Sequence, residues 1–209
     1  MLSFLPGLTF YAHSQKMVQE NLDPKGKKVE MKFNFADSIV IKAWDKNTIE
    51  LQVSVNIDEN RCNDYYNLKV NDKDGNLQLV EDVNFREIQK KKGDNCNYNS
   101  DIVYKLNVPA NLEFSLNTIS GMIELKGLQG KMTIHSISGF IDYTVPLTCK
   151  ARIDLSTVTG NVYSNLKVDE KPTNQISWVG TKRKLTLNGG NQDVALKTVS
   201  GDIYLRKGR

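Results

Sequence analysis

One ten-residue pattern recurs along the second half of the chain and limits what the chain can fold into. It reads Leu116-Asn-Thr-Ile-Ser-Gly-Met-Ile-Glu-Leu125, Ile134-His-Ser-Ile-Ser-Gly-Phe-Ile-Asp-Tyr143, Leu155-Ser-Thr-Val-Thr-Gly-Asn-Val-Tyr-Ser164 and Leu196-Lys-Thr-Val-Ser-Gly-Asp-Ile-Tyr-Leu205. The glycines, Gly121, Gly139, Gly160 and Gly201, lie 18, 21 and 41 residues apart. Gly180 falls near the middle of the longest interval, where it is expected to mark a diverged copy. Recurrence at about 20 residues is the mark of coils that stack on one another, because one coil alone cannot bury its apolar side. No long stretch carries a 3.6-residue period, so the coils are not helical. The expectation is an all-β chain, a β-solenoid resembling a parallel β-helix, with regular coils over 112–207.

Aligning the copies on glycine sorts the side chains. Phe114, Met132, Ile153 and Val194 stand seven residues before it, and Leu116, Ile134, Leu155 and Leu196 five before. Ile119, Ile137, Val158 and Val199 stand two before, and Ile123, Ile141, Val162 and Ile203 two after. All four sets are expected to form buried ladders with rungs about 4.8 Å apart. The odd step between the second and third sets means a bend, since side chains on a straight strand alternate strictly. Each coil is therefore strand, corner, strand. Gly121, Gly139, Gly160 and Gly201 supply backbone freedom at the corners, and the neighbouring Ser and Thr hydroxyls are expected to bond the backbone. The copy ending at Leu205 is expected to be the last rung, closed by the charges of Arg206, Lys207 and Arg209.

The chain before Leu112 is less regular. Val29–Phe35 and Ile49–Ile57 alternate as half-buried strands do, and Asp37 stands where later copies have glycine, as if tolerating a left-handed conformation. Residues 58–101 form a polar excursion. Within it, Asp74-Gly75 marks a hairpin, and the stretch holding Lys90, Lys91 and Lys92 is expected to be a solvated loop. Ile102–Val108 is again a strand, which Pro109 ends. Residues 15–209 are expected to be one domain.

Residues 1–14 carry no charge and are mostly apolar. They are too few to span a bilayer, which needs about 20 apolar residues, but they fit the end of a signal peptide with Ala12 and Ser14 before a cut at Gln15. Export to the periplasm or cell surface is the expectation, with no transmembrane segment in the mature chain. In an oxidising compartment Cys62 and Cys96, both in polar segments, are expected to form a disulfide, with Cys149 left as a small buried residue. The net charge of +4 comes from interspersed Lys, Arg, Asp and Glu, a distribution that gives no nucleic-acid patch.

Several segments together resemble the putative-adhesin family, domains of unknown function that form β-solenoids in exported bacterial proteins. They are Ser38-Ile-Val-Ile-Lys-Ala-Trp-Asp45, Tyr104-Lys-Leu-Asn-Val-Pro109 leading into Thr118-Ile-Ser-Gly121, and Val179-Gly180, Leu187-Asn-Gly-Gly190 and Thr198-Val-Ser-Gly-Asp-Ile-Tyr-Leu205. The resemblance spans Val29 to Lys207 and implies adhesion or another surface interaction. It brings no catalytic motif.

The residues themselves offer little chemistry. His13 and His135 are the only histidines, and no nucleophile elbow, phosphate loop or metal-type His pair occurs. No catalytic, cofactor-binding or metal-ligating residue is expected. Glu124 and Asp142, three residues after their glycines, are expected on neighbouring rungs, and a spacing of about 5–9.5 Å would suit glycoside cleavage. They should nevertheless face solvent from a narrow coil. Tyr163 and Tyr204 at the same repeat position, with Tyr143 beside them, are expected to make an exposed contact strip. Trp44 and Trp178 are expected to pack at a corner and in a diverged coil. The sequence therefore reads as a non-enzymatic module of the cell surface or envelope that binds a protein or glycan. A β-helical carbohydrate-active enzyme using Glu124 and Asp142, or a purely structural spacer, are the alternatives.

Overall fold

The computed structural model describes residues 14–92, 99–167 and 180–208. Cys96, Trp178 and all of the expected leader except Ser14 lie outside them. The described chain is all-β apart from one short helix and a 3-10 turn at Asn63–Tyr65. Its strands are β1 (Lys16–Leu22), β2 (Val29–Lys32), β3 (Ser38–Trp44), β4 (Ile49–Ile57), β5 (Tyr66–Lys73) and β6 (Asn76–Val83), then helix α1 (Phe85–Lys92). They continue with β7 (Ser100–Pro109), β8 (Phe114–Thr118), β9 (Met122–Lys126), β10 (Met132–Ser138) and β11 (Ile141–Val145). The last are β12 (Ala151–Thr159), β13 (Val162–Ser164), β14 (Thr181–Leu187), β15 (Gln192–Ser200) and β16 (Ile203–Lys207).

These form two mixed sheets of eight strands, ordered β1-β4-β7-β3-β9-β11-β16-β13 and β14-β12-β15-β10-β8-β2-β6-β5. Five strand pairs cross from the second sheet to the first: β2 to β3, β8 to β9, β10 to β11, β12 to β13 and β15 to β16. The pairs keep one order in both sheets and lie parallel to their neighbours. Register is set by burial. Val29, Phe114, Met132, Val194 and Ile153 align across one sheet, and Ile39, Ile123, Ile141, Ile203 and Val162 across the other. All are buried. A one-residue slip would turn a whole ladder outward, so every rung reinforces the register of the next.

The order of the rungs differs from chain order. β15–β16 sits between β10–β11 and β12–β13, pairing with both, so it is an interior rung and its closing charges end no stack. Gly180 introduces no further parallel copy either. It leads into β14, which runs antiparallel along β12 and forms the edge of the second sheet.

At the other end, the irregular part of the chain extends both sheets. β7, β4 and β1 continue the first, and the β5–β6 hairpin continues the second beyond β2. The hairpin turns at Asp74 and Gly75, both with positive φ. Of the 58–101 excursion, the β5–β6 hairpin forms the end of the second sheet. Part of the expected loop is helical instead: α1 buries Ile88, and Phe85 lies edge-on to Phe35 at 4.5 Å. Asn84 Oδ1 accepts the Glu87 amide in its first turn, which is the role of a capping residue.

The corner itself differs from the expectation. Alternation continues past Leu116 to the next inward position, so Thr118, Ser136, Thr157 and Thr198 are buried. Ile119, Ile137, Val158 and Val199 consequently point outward, and the change of phase falls after them, at the glycine. Short hydroxylated residues fit inside the bend because their polar atom is satisfied there. Thr118 Oγ1 donates to Ser120 O at 2.6 Å and Ser136 Oγ to Ser138 O at 2.9 Å. Thr157 Oγ1 reaches Gly201 O of the neighbouring rung at 2.9 Å.

Candidate interaction surface

Glycine is needed at these corners for close approach as well as for conformation. A β-carbon on Gly139 (φ +109°) would lie 2.2 Å from Gly121 O, and one on Gly201 (φ +138°) 2.0 Å from Gly139 O. Backbone stacks directly on backbone there. Ser138 N donates to Ile119 O at 2.8 Å, and Gly201 N to Thr159 O at 3.0 Å. The residues just before the glycines are thereby held in line from rung to rung.

The result is a ridge. Ile119, Ile137, Val199 and Val158 stand in that order on four successive rungs, each between 41% and 47% exposed. On the far side of the corner, Met122 and Phe140 add to it. The four rungs make it about 15 Å long. Contiguous apolar surface of this kind marks contact sites more often than scattered exposed residues do. The signal was present in the sequence, because strict alternation from the positions seven and five before glycine places these residues outside.

The tyrosines divide. Tyr163 and Tyr204 are stacked with centroids 5.2 Å apart, and Phe140 meets Tyr204 edge-on at 6.1 Å. Tyr204 donates to Asp202 at 3.2 Å, and Arg206 lies over its ring at 5.3 Å. Partial burial, with Asp202 beside it, raises the Tyr204 hydroxyl above the usual phenol range. Tyr143 does not belong to this strip. It occupies the buried ladder of Leu125 and Leu205, donates to Leu128 O at 2.6 Å, and is pushed well above the phenol range by burial.

Glu124 and Asp142 are neighbours in register on the first sheet, and both are occupied. Glu124 pairs with Lys126, while Arg206 Nε reaches both oxygens of Asp142 at 2.7 and 2.9 Å. Each acid is thus held in an ion pair at the surface of the sheet. His135 is exposed on the second sheet. Trp44 Nε1 donates to Thr48 O at 2.8 Å, so its ring is a turn residue. Cys62 is a buried free thiol 4.0 Å from Asp58 Oδ2, and Cys149 is also buried. Among the described residues no His, Cys, Asp and Glu cluster could hold a metal ion, and no helix is long and apolar enough to cross a membrane.

One buried acid was missed by sequence reasoning. Glu81 follows Leu77 and Leu79 on the inward face of β6, among Tyr66, Tyr104 and Asp37. Burial raises its carboxyl to about 7, with the Phe35 amide and Tyr104 hydroxyl pulling the other way. Phe35 N donates to Oε2 at 3.1 Å, and the Tyr66 and Tyr104 hydroxyls lie 3.0 Å apart. Alternation on β6 was the available clue, hidden by the polar residues around it.

No family model and no curated protein matches the chain. Solved structures do resemble it. A "putative cell adhesion protein" from Clostridium sporogenes superposes with a TM-score of 0.55 at 12% identity, covering 93% of this chain and all of its own. It shares the fold. A "putative adhesin" from Bacteroides fragilis matches more weakly, with a TM-score of 0.31 at 11% identity over 93% of this chain and 98% of that one.

Proposed function

We propose that the protein is a non-enzymatic interaction module of the cell surface or envelope, and that the corner ridge is its contact surface. The observation that carries this is the line of exposed Ile119, Ile137, Val199 and Val158 on a rigid frame. A rigid row of apolar side chains binds with little loss of freedom, since the groups that must be ordered are ordered already. The architecture behind it is a β-solenoid whose rungs are the five strand pairs, in one domain over residues 15–209. Its likeness to a cell adhesion fold and the motif series of the putative-adhesin family support placing it with exported adhesins. Export itself rests on the apolar leader, and secreted chain should begin at Gln15.

The ridge is made of aliphatic side chains, which favours binding over catalysis. The test is retention of the purified chain on isolated cell envelopes. Ile137→Ser should lower retention at least tenfold while leaving the unfolding midpoint in place. Release of reducing ends from envelope glycans, abolished by Asp142→Asn, would instead establish the enzymatic alternative.

A further inference from the structure

On the second sheet, two residues inward from the ridge, lies a second row on the same outer face, about 7 Å away. The pairing places Lys32, Asn117, His135, Lys197, Ser156 and Lys182 in line across six strands. It contains no carboxylate, and none of the ion pairs among the described residues engages Lys32, Lys197 or Lys182. Of the nearest acids on that face, Glu30 and Asp154 stand one row farther from the corner, and Asp82 on β6 is engaged by Lys69. An exposed aliphatic row thus runs beside a parallel polar row that carries Lys197 alongside it and Lys32 and Lys182 at its two flanks, none of them in an ion pair among the described residues.

We propose that this double row docks on an anionic phospholipid bilayer, the aliphatic ridge entering the headgroup layer and the lysines meeting lipid phosphates. The inference rests on the module reading above and replaces its protein or glycan partner with a lipid surface. Apolar burial and attraction to anionic lipid add together at such an interface, and lysine stems let the charge reach phosphate while their carbons follow the ridge down. Ile and Val bring neither a stacking face nor a polar atom for a sugar. A second copy of the chain fits less well, because the acids on the opposite flank are already engaged. Glu124 pairs with Lys126, Asp142 with Arg206, and Asp202 accepts from Asn161 N and Tyr204.

The experiment is co-sedimentation of the full chain with vesicles of phosphatidylcholine, alone or with about 30% phosphatidylglycerol. Partitioning onto the anionic vesicles is expected to be at least tenfold stronger, and to fall steeply as salt shortens the Debye length. Ile137→Ser with Val199→Ser, and separately Lys32→Gln with Lys182→Gln and Lys197→Gln, should each lower it at least tenfold. Lys105→Gln, on the outer face of the first sheet, should not. If the ridge pair fails to fold, Ile119→Ser with Val158→Ser tests the same line on other rungs. Equal binding to both vesicles, no binding, or variants that sediment like the parent chain would overturn the lipid partner. Ridge-dependent retention on envelopes without vesicle binding would leave the module reading standing, and loss of both would remove it. A ridge-dependent dimer in sedimentation without vesicles would give the surface to a second copy instead.

Discussion

The four glycine corners and the corner at Ala36–Asp37 solve one problem by different means. At each the chain leaves one sheet for the other and must satisfy backbone groups within a tight bend. The repeated corners use a buried hydroxyl and a glycine, neutral groups that stack identically on the next rung. The capping corner uses carboxylates. Asp37 Oδ2 accepts from Ile102 N at 2.8 Å, and Glu81 Oε2 accepts from Phe35 N at 3.1 Å. Asp37 takes no left-handed conformation; its side chain is what the position uses. A repeated neutral corner can be stacked indefinitely, whereas the charged one ends the series and brings titration into the core.

The comparison breaks first at the glycines. Gly139→Val would add strain at positive φ and drive a side chain into a neighbouring backbone, so a loss of about 3–4 kcal/mol in urea unfolding is expected. Gly189→Ala, also at positive φ but with nothing within 4 Å of the added β-carbon, should cost only about 1 kcal/mol. Equal losses would show that conformation, and not stacking, sets the requirement.

At the cap the same measurement should depend on pH. Glu81 has a folded pKa of about 7, raised above its ordinary 4.5. The stability tied to its protonated form is therefore complete below about 4.5 and lost as pH rises through 7, by about 3 kcal/mol at most. Unfolding at pH 5 and pH 8 should reveal this loss in the parent chain, while Glu81→Gln should remove most of it and be the more stable protein at pH 8. A parent chain with no fall between these values would place Glu81 in a more polar setting than its burial indicates.

Smaller effects sharpen the contrast. Ser136→Ala leaves the Ser138 carbonyl without its donor and should cost about 1 kcal/mol, independent of pH. His135→Ala, on the solvent face, should change stability by less than about 0.5 kcal/mol.

The all-β class and the core ladders were legible in sequence because burial repeats with the period of the strand. The face of Ile119 and its equivalents is where hydrophobicity and alternation disagree, and alternation decides it. Thr118 and Ser136 are inside since a hydrogen bond compensates them, and an apolar count does not register that. Tyr143 stands one residue further along its copy than Tyr204 does, which puts it on the opposite, buried face. The place of β15–β16 could not be read at all. Its corner residues match those of β10–β11 and β12–β13 so closely that nothing local distinguishes an end from a middle.

That interior position constrains how the molecule is assembled. β12–β13 is synthesised before the rung that must lie between it and β10–β11. During that interval β10–β11 presents a free edge whose hydrophobic register matches β12–β13 just as well. A premature match would shut out β15–β16 and leave it without a slot, and correction would require a whole coil to detach. The redundancy that makes the finished stack regular therefore makes its assembly prone to a misordered intermediate, and slow, rung-by-rung repair is the expected late phase of refolding.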